Sequence, residues 1–95
     1  MTFNPRAKMR RHEFSDLFVL LAVAETRSFT SAADALETSQ SNVSHAISRL
    51  ERRLGQKLVL RGTRGVEGLT PLGERLVDDL GPSLQTVQQV MADVM

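Results

Sequence analysis

Residues 40–48 of this 95-residue chain read Gln-Ser-Asn-Val-Ser-His-Ala-Ile-Ser, six hydrogen-bonding side chains and no acidic one. Ser41, Ser44, His45 and Ser48 recur at i, i+3, i+4 and i+7. On a helix they form one polar stripe, roughly opposite Ile47 and Leu50. Gln40 and Asn42 flank the stripe at its N-terminal end, and Arg49, Arg52, Arg53 and Lys57 follow it. Arg61 and Arg64 then lie around Gly62 and Gly65. Such residues are suited to recognition: short polar groups read donors and acceptors, and guanidinium groups hold anions.

Bond-breaking chemistry has little support. His45 lies between Ser44 and Ala46 on a helix face, with no third group to orient it and no oxyanion loop nearby in sequence. Asp78 and Asp79 are adjacent, so on a helix they point different ways. Two His and no Cys leave little material for a metal site and exclude disulfides and every cysteine-bearing cluster. Gly62, Gly65 and Gly68 lack the Gly-Lys-Ser/Thr ending of a phosphate-binding nucleotide loop. No catalytic residue, metal or cofactor is therefore expected.

The elements that must position these residues follow from periodicity. Phe14, Leu17, Phe18, Leu21 and Ala24 form one helical stripe. Thr30 and Ser31 offer N-caps for a short second helix containing Ala32, Ala33, Ala35 and Leu36. Ser39 caps a third helix, over about 40–54, whose apolar stripe is Val43, Ile47, Leu50 and Leu54 and whose end is marked by Gly55. Leu58-Val59-Leu60 reads as a strand, 62–65 as a turn, and Val66–Leu69 as a return strand with a bulge at Gly68. Thr70-Pro71 starts a last helix, with Thr as N-cap and Pro at the first helical position. A helix over 71–95 would be about 37 Å long at 1.5 Å per residue. Gly81-Pro82 predicts a kink or a break within it. Leu80, Leu84, Val87, Met91 and Val94 are spaced 4, 3, 4 and 3, an a/d seam.

Charge is segregated behind a net value of +1. Residues 1–13 carry +3, residues 14–48 carry −3, residues 49–64 carry +5 and residues 65–95 carry −4. Two basic blocks on a near-neutral chain fit an anionic partner such as nucleic acid, and on charge alone they fit solvated helix ends equally well. No apolar run approaches the roughly 20 residues of a membrane span, and the basic N-terminus lacks the apolar stretch of a secretory signal.

Two short helices joined by a tight turn, the second with a polar outer face, are the sequence picture of a helix-turn-helix. A helix entering the major groove needs short polar side chains, because acidic ones repel phosphate and bulky ones hold the helix away. The free N–H groups of Gln40 and Ser41 would add a positive helix end. A thin hairpin carrying Arg61 and Arg64 beside that helix is a wing, suited to phosphates or the minor groove. A Ser-rich solvated face and an ordinary glycine-rich turn are the bland readings of the same segments. Taken singly those would win; taken together, the spacing and the flanking cations favour double-stranded DNA. The competing class is a winged-helix docking module, which should expose aliphatic or aromatic side chains where this chain has Ser, His and Gln.

At this point the chain resembles a known family. Ala22-Val23-Ala24-Glu25, Ser28-Phe29-Thr30-x-Ala32-Ala33-x-x-Leu36 and Ser39-Gln40-x-x-Val43-Ser44-x-x-Ile47-x-x-Leu50-Glu51 look like the N-terminal domain of LysR-type transcriptional regulators. The likeness continues through Leu54-Gly55-x-x-Leu58, Arg61, Arg64-Gly65-Val66 and Leu69-Thr70-x-x-Gly73, covering about residues 13–80. It implies a mainly α winged helix-turn-helix, three helices plus a small β-hairpin wing, followed by a long linker and dimerisation helix. It implies DNA contacts from Gln40, Ser41, Ser44 and His45 on the recognition helix and from Arg61 and Arg64 on the wing; the polar stripe and its flanks add Asn42, Ser48 and Arg49 to the expected DNA-binding residues. It also implies a homodimer, paired through the last helix, that reads an interrupted inverted repeat in the cytoplasm and is nucleoid-associated when bound. From spacing alone, the 80–94 seam packs back on its own core as readily as on a second copy.

The expected organisation is a mobile basic arm over 1–12, the DNA-binding domain over 13–70 and the linker helix over 71–95, with no effector site in this chain; the alternative for the arm is that Arg6, Lys8, Arg10 and Arg11 lie along phosphates or reach a minor groove. Ser41 stands where the family usually has Pro, and His45 where Arg is common. Gly68 reads as one residue extra in the return strand, and about eight residues precede the family's usual start.

Overall fold

A computed structural model of the chain describes residues 2–63 and 65–95. Its elements are α1 (Arg11–Thr26), α2 (Phe29–Ala35), α3 (Gln40–Leu54), β1 (Val59–Gly62), β2 (Gly65–Leu69) and α4 (Pro71–Val94). The three-helix unit, the antiparallel hairpin and the long last helix are those expected from the sequence.

Local signals set most boundaries. Ser39 takes the N–H of Asn42 at the start of α3, and Gly55 ends that helix in the left-handed region at φ 72°. Thr70 takes the N–H of Gly73, with Pro71 in the first turn of α4. The second helix begins earlier than Thr30 or Ser31 would set it. Arg27 closes α1 in the left-handed region at φ 54°, which leaves Ser28 extended, and Ser28 caps α2 by accepting from Ser31 N. Phe29 thereby joins the helix and packs against the core. Helix α1 likewise begins at Arg11, inside the segment read as an arm.

Leu20, Val23, Ala32, Ala33, Val43, Ile47, Leu50, Leu58 and Val59 form the core. Helix α1 buries a different face from the expected one. Glu13, Asp16, Leu20 and Val23 point inward, while Phe14 is 49% exposed. The segment is apolar on nearly every side between Leu17 and Ala24, so its period does not select a face. Packing against α3 does, and two arginines of α3 make it favourable to turn Glu13 and Asp16 inward.

In the hairpin, Val59 pairs with Leu69, Leu60 with Gly68, Arg61 with Val66 and Gly62 with Gly65. The extra residue is therefore Glu67, one position before the expected Gly68. A Cβ at Gly62 would collide with the Glu67 carboxylate, so the bulge folds back over a glycine.

Helix α4 is one uninterrupted helix, with Pro82 inside it. Of the kink or break expected at Gly81-Pro82, the break does not occur; proline removes a single backbone donor, and the helix continues through it to Val94. The helix start is tied to the wing: Thr70 Oγ1 donates to Lys57 O at 2.7 Å, and Thr70 N donates to Leu58 O at 3.0 Å.

Candidate nucleic-acid interface

Helix α3 carries the candidate face. Val43, Ala46, Ile47 and Leu50 are buried on its inner side. Gln40, Ser41, Asn42, His45 and Arg49 are exposed, and Ser44 and Ser48 are half-buried at the edge of the same surface. The fold thus brings together all seven residues expected on the recognition helix. At the helix start the Asn42 amide donates to Thr38 Oγ1 at 2.9 Å, and Thr30 of α2 donates to Gln40 Oε1 at 3.4 Å. Since Ser39 occupies the Asn42 N–H and Val43 N bonds Ser39 O, the Gln40 and Ser41 N–H groups stay available at the positive end of the helix.

The turn between α2 and α3 is short and tightly bonded. Leu36 N reaches Ala32 O, Thr38 N reaches Ala33 O, and Glu37 adopts φ 55°. These bonds and the buried pair Ala32 and Ala33 hold α2 against α3, so the exposed face is presented on a rigid base.

The cations behave differently from one another. Arg49 donates Nε to Asp16 Oδ2 at 3.2 Å and Nη2 to Asp16 Oδ1 at 2.9 Å. Asp16 is 2% exposed, whereas the Arg49 side chain is 45% exposed. The hydrogen bonds from Asp16, with their charge attraction, hold the Arg49 proton above the ordinary guanidinium range against the opposing effect of burial. Arg53 bonds Glu13 Oε1 at 3.2 Å and the Lys8 carbonyl at 3.4 Å. Two arginines of the recognition helix therefore also lock α3 to α1. Asp16 and Glu13 went unnoticed in the sequence because their partners lie more than thirty positions away.

Glu51 is buried behind the wing. Its Oε2 accepts from Leu58 N at 2.8 Å and from Val59 N at 3.4 Å, while Oε1 lies 3.9 Å from both Lys57 Nζ and Arg61 Nη2. Arg61 also lies over the Phe29 ring, 4.8 Å from its centroid. The first wing arginine is thus laid across the start of α2, between Phe29 and Glu51. Arg64, the second, lies outside the described residues.

Along α4, Leu80 and Leu84 are half-buried. Val87, Met91 and Val94 are 57%, 50% and 74% exposed, so the distal seam is not covered by the chain's own core. Among the described residues there is no group of three His, Cys, Asp or Glu placed to hold a metal, and no helix is long and apolar enough to cross a membrane.

Residues 14–74 match the family described as bacterial regulatory helix-turn-helix protein, lysR family. The chain belongs to the LysR family. Over 86 residues, 90% of its length, the LysR-family domain is 44% identical to the HTH-type transcriptional regulator PgrR of Escherichia coli strain K12. It spans only 28% of that regulator, a little over a quarter of its length. The domain also resembles the DNA-binding domain in the solved CbnR–DNA complex, with a TM-score of 0.72 and 31% identity over 85% of this chain and 92% of that one. A similar match is to the DNA-binding domain of BenM with catB site 1 DNA, with a TM-score of 0.73 and 36% identity over 84% of this chain and 88% of that one. Both matches cover nearly the whole of those two domains.

Proposed function

We propose that this LysR-family domain binds double-stranded DNA with sequence preference, as the DNA-binding part of a bacterial transcriptional regulator. Helix α3 enters the major groove, and Gln40, Ser41, Asn42, Ser44, His45 and Ser48 meet base edges and the nearest phosphates. Arg49 uses its Nε and one Nη2 N–H on Asp16 and keeps further donors for the backbone. Arg61 and Arg64 serve the flanking backbone or minor groove. Two copies pair through Leu80, Leu84, Val87, Met91 and Val94 and read an inverted repeat. The site of action is the cytoplasm, on the nucleoid, and the domain itself catalyses no reaction.

The observation that carries this reading is the exposed, non-acidic face of α3 on a fold shared with two domains solved on DNA. The docking reading lacks its required surface. Exposed large apolar side chains occur at Phe3, Met9, Phe14, Leu54 and Leu60 and along α4, but none lies between Gln40 and Arg49.

The test is selection from a random duplex pool at physiological salt, followed by sequencing. An enriched inverted repeat is expected, and Ser44→Ala or His45→Ala should change the preferred base at one position of each half-site. A pool that never enriches would overturn sequence-dependent binding.

A further inference from the structure

The stripe that reads along α3 does not stop at Ser48. Arg52 follows Ser41, His45 and Ser48 at i+11, on the same side of the helix. There it lines a cleft together with Lys8 and Arg10 of the segment before α1 and His12 of the first turn of α1. The segment is not independent of the fold. Arg53 Nη2 of α3 donates to the Lys8 carbonyl at 3.4 Å and Glu13 N of α1 bonds Arg10 O at 3.0 Å, while Met9 N to Ala7 O at 2.7 Å makes a turn within the segment.

The charges in this cleft do not cancel. Its two carboxylates, Glu13 and Asp16, are buried at its base and are each bound by an arginine, Arg53 and Arg49. Lys8, Arg10 and Arg52 remain exposed at the rim, and among the described residues none of them is paired with a carboxylate.

We propose that this cleft is a second phosphate-binding surface, which takes the DNA backbone just beyond the half-site read by α3. Lys8 and Arg10 from the N-terminal segment and Arg52 from α3 close on one stretch of backbone. The N-terminal segment is thus a docked part of the DNA interface and not the mobile arm expected from sequence. This inference rests on the DNA-binding reading above and adds a sequence-independent contact to it. Counterion release makes the contact measurable, since each phosphate neutralised steepens the fall of log K with log salt by about 0.9 on duplex DNA.

The test compares the 95-residue chain with the double variant Lys8→Gln/Arg10→Gln and with Arg52→Gln, on a random-sequence duplex across a salt series. All three residues are exposed and outside the core, so the variants should fold. The expected result is a slope shallower by about 2 for the double variant and about 1 for Arg52→Gln. Affinity should fall by the same factor on any sequence. Parent-like slopes in a chain that binds DNA would overturn this proposal and leave the DNA-binding reading standing. A parent chain with no salt-dependent duplex binding would overturn both.

Discussion

Arg49 and Asp16, thirty-three positions apart, face each other through two N–H donors and two carboxylate oxygens. One residue belongs to the recognition helix and the other to the helix behind it. The pair is asymmetric, with Asp16 buried and the Arg49 side chain nearly half exposed. Removing the exposed partner strands a buried carboxylate; removing the buried partner frees an arginine to turn to water. Arg49→Ala should therefore destabilise the fold by about 2 kcal/mol and Asp16→Ala by less, the exposed side of the pair being screened by solvent. Urea unfolding of both variants checks the order. Because the folded state raises the Arg49 pKa, this contribution is complete below the ordinary guanidinium pKa and is lost only as pH rises through the higher folded value. Arg49 should add no slope to stability around neutral pH.

Glu51 supports the wing by accepting two backbone N–H groups at its base. Glu51→Ala leaves both donors buried without a partner, an expected loss of about 2–4 kcal/mol. Glu51→Gln keeps one acceptor oxygen in place and should lose clearly less. Equal losses in thermal unfolding would mean that the charge, through Lys57 and Arg61, matters more than the two backbone bonds.

Gly73 lies in the first turn of α4, where a Cβ would run into the Leu58 carbonyl oxygen. Alanine is the better helix former by about 1 kcal/mol, yet Gly73→Ala should still destabilise the domain by about 1–3 kcal/mol through this overlap. A more stable variant would show that α4 can shift away from the strand without cost.

Arg61 contacts Phe29 and approaches Glu51 in the free protein. If it also serves a phosphate, Arg61→Ala should flatten the salt dependence of duplex binding by about 1 and weaken all sequences alike. An unchanged slope would confine Arg61 to bracing the wing.

The distal face of α4 separates pairing from folding. Met91 and Val87 are about half exposed in the single chain, so Met91→Glu should leave its unfolding curve almost unchanged. In a pair the same charge would be buried at the seam, and dissociation is expected. Sedimentation equilibrium checks this: a parent chain that stays monomeric at high concentration would remove the seam from the interface.

The amino-acid sequence by itself determined the features governed by neighbours within one or two turns. Ser39, Thr70 and Pro71 begin helices, and Gly55 ends one, because the first and last turns need specific partners or dihedral angles. Val43, Ile47 and Leu50 recur on one side of α3, which leaves the Ser and His side chains on the other. Tertiary structure decided what depends on distant segments. The apolar run of α1 allows several buried faces, and α3 selects the one carrying Glu13 and Asp16 by supplying Arg53 and Arg49. The early start of α2 depends on Phe29 reaching the core, and the bulge at Glu67 on the space above Gly62. Arg61 finds Phe29 of α2 and Glu51 of α3 only once folding brings β1 beside both helices. Periodicity and capping act along the chain, whereas ion pairing, ring contacts and steric fit act through space, and only folding brings their partners within reach.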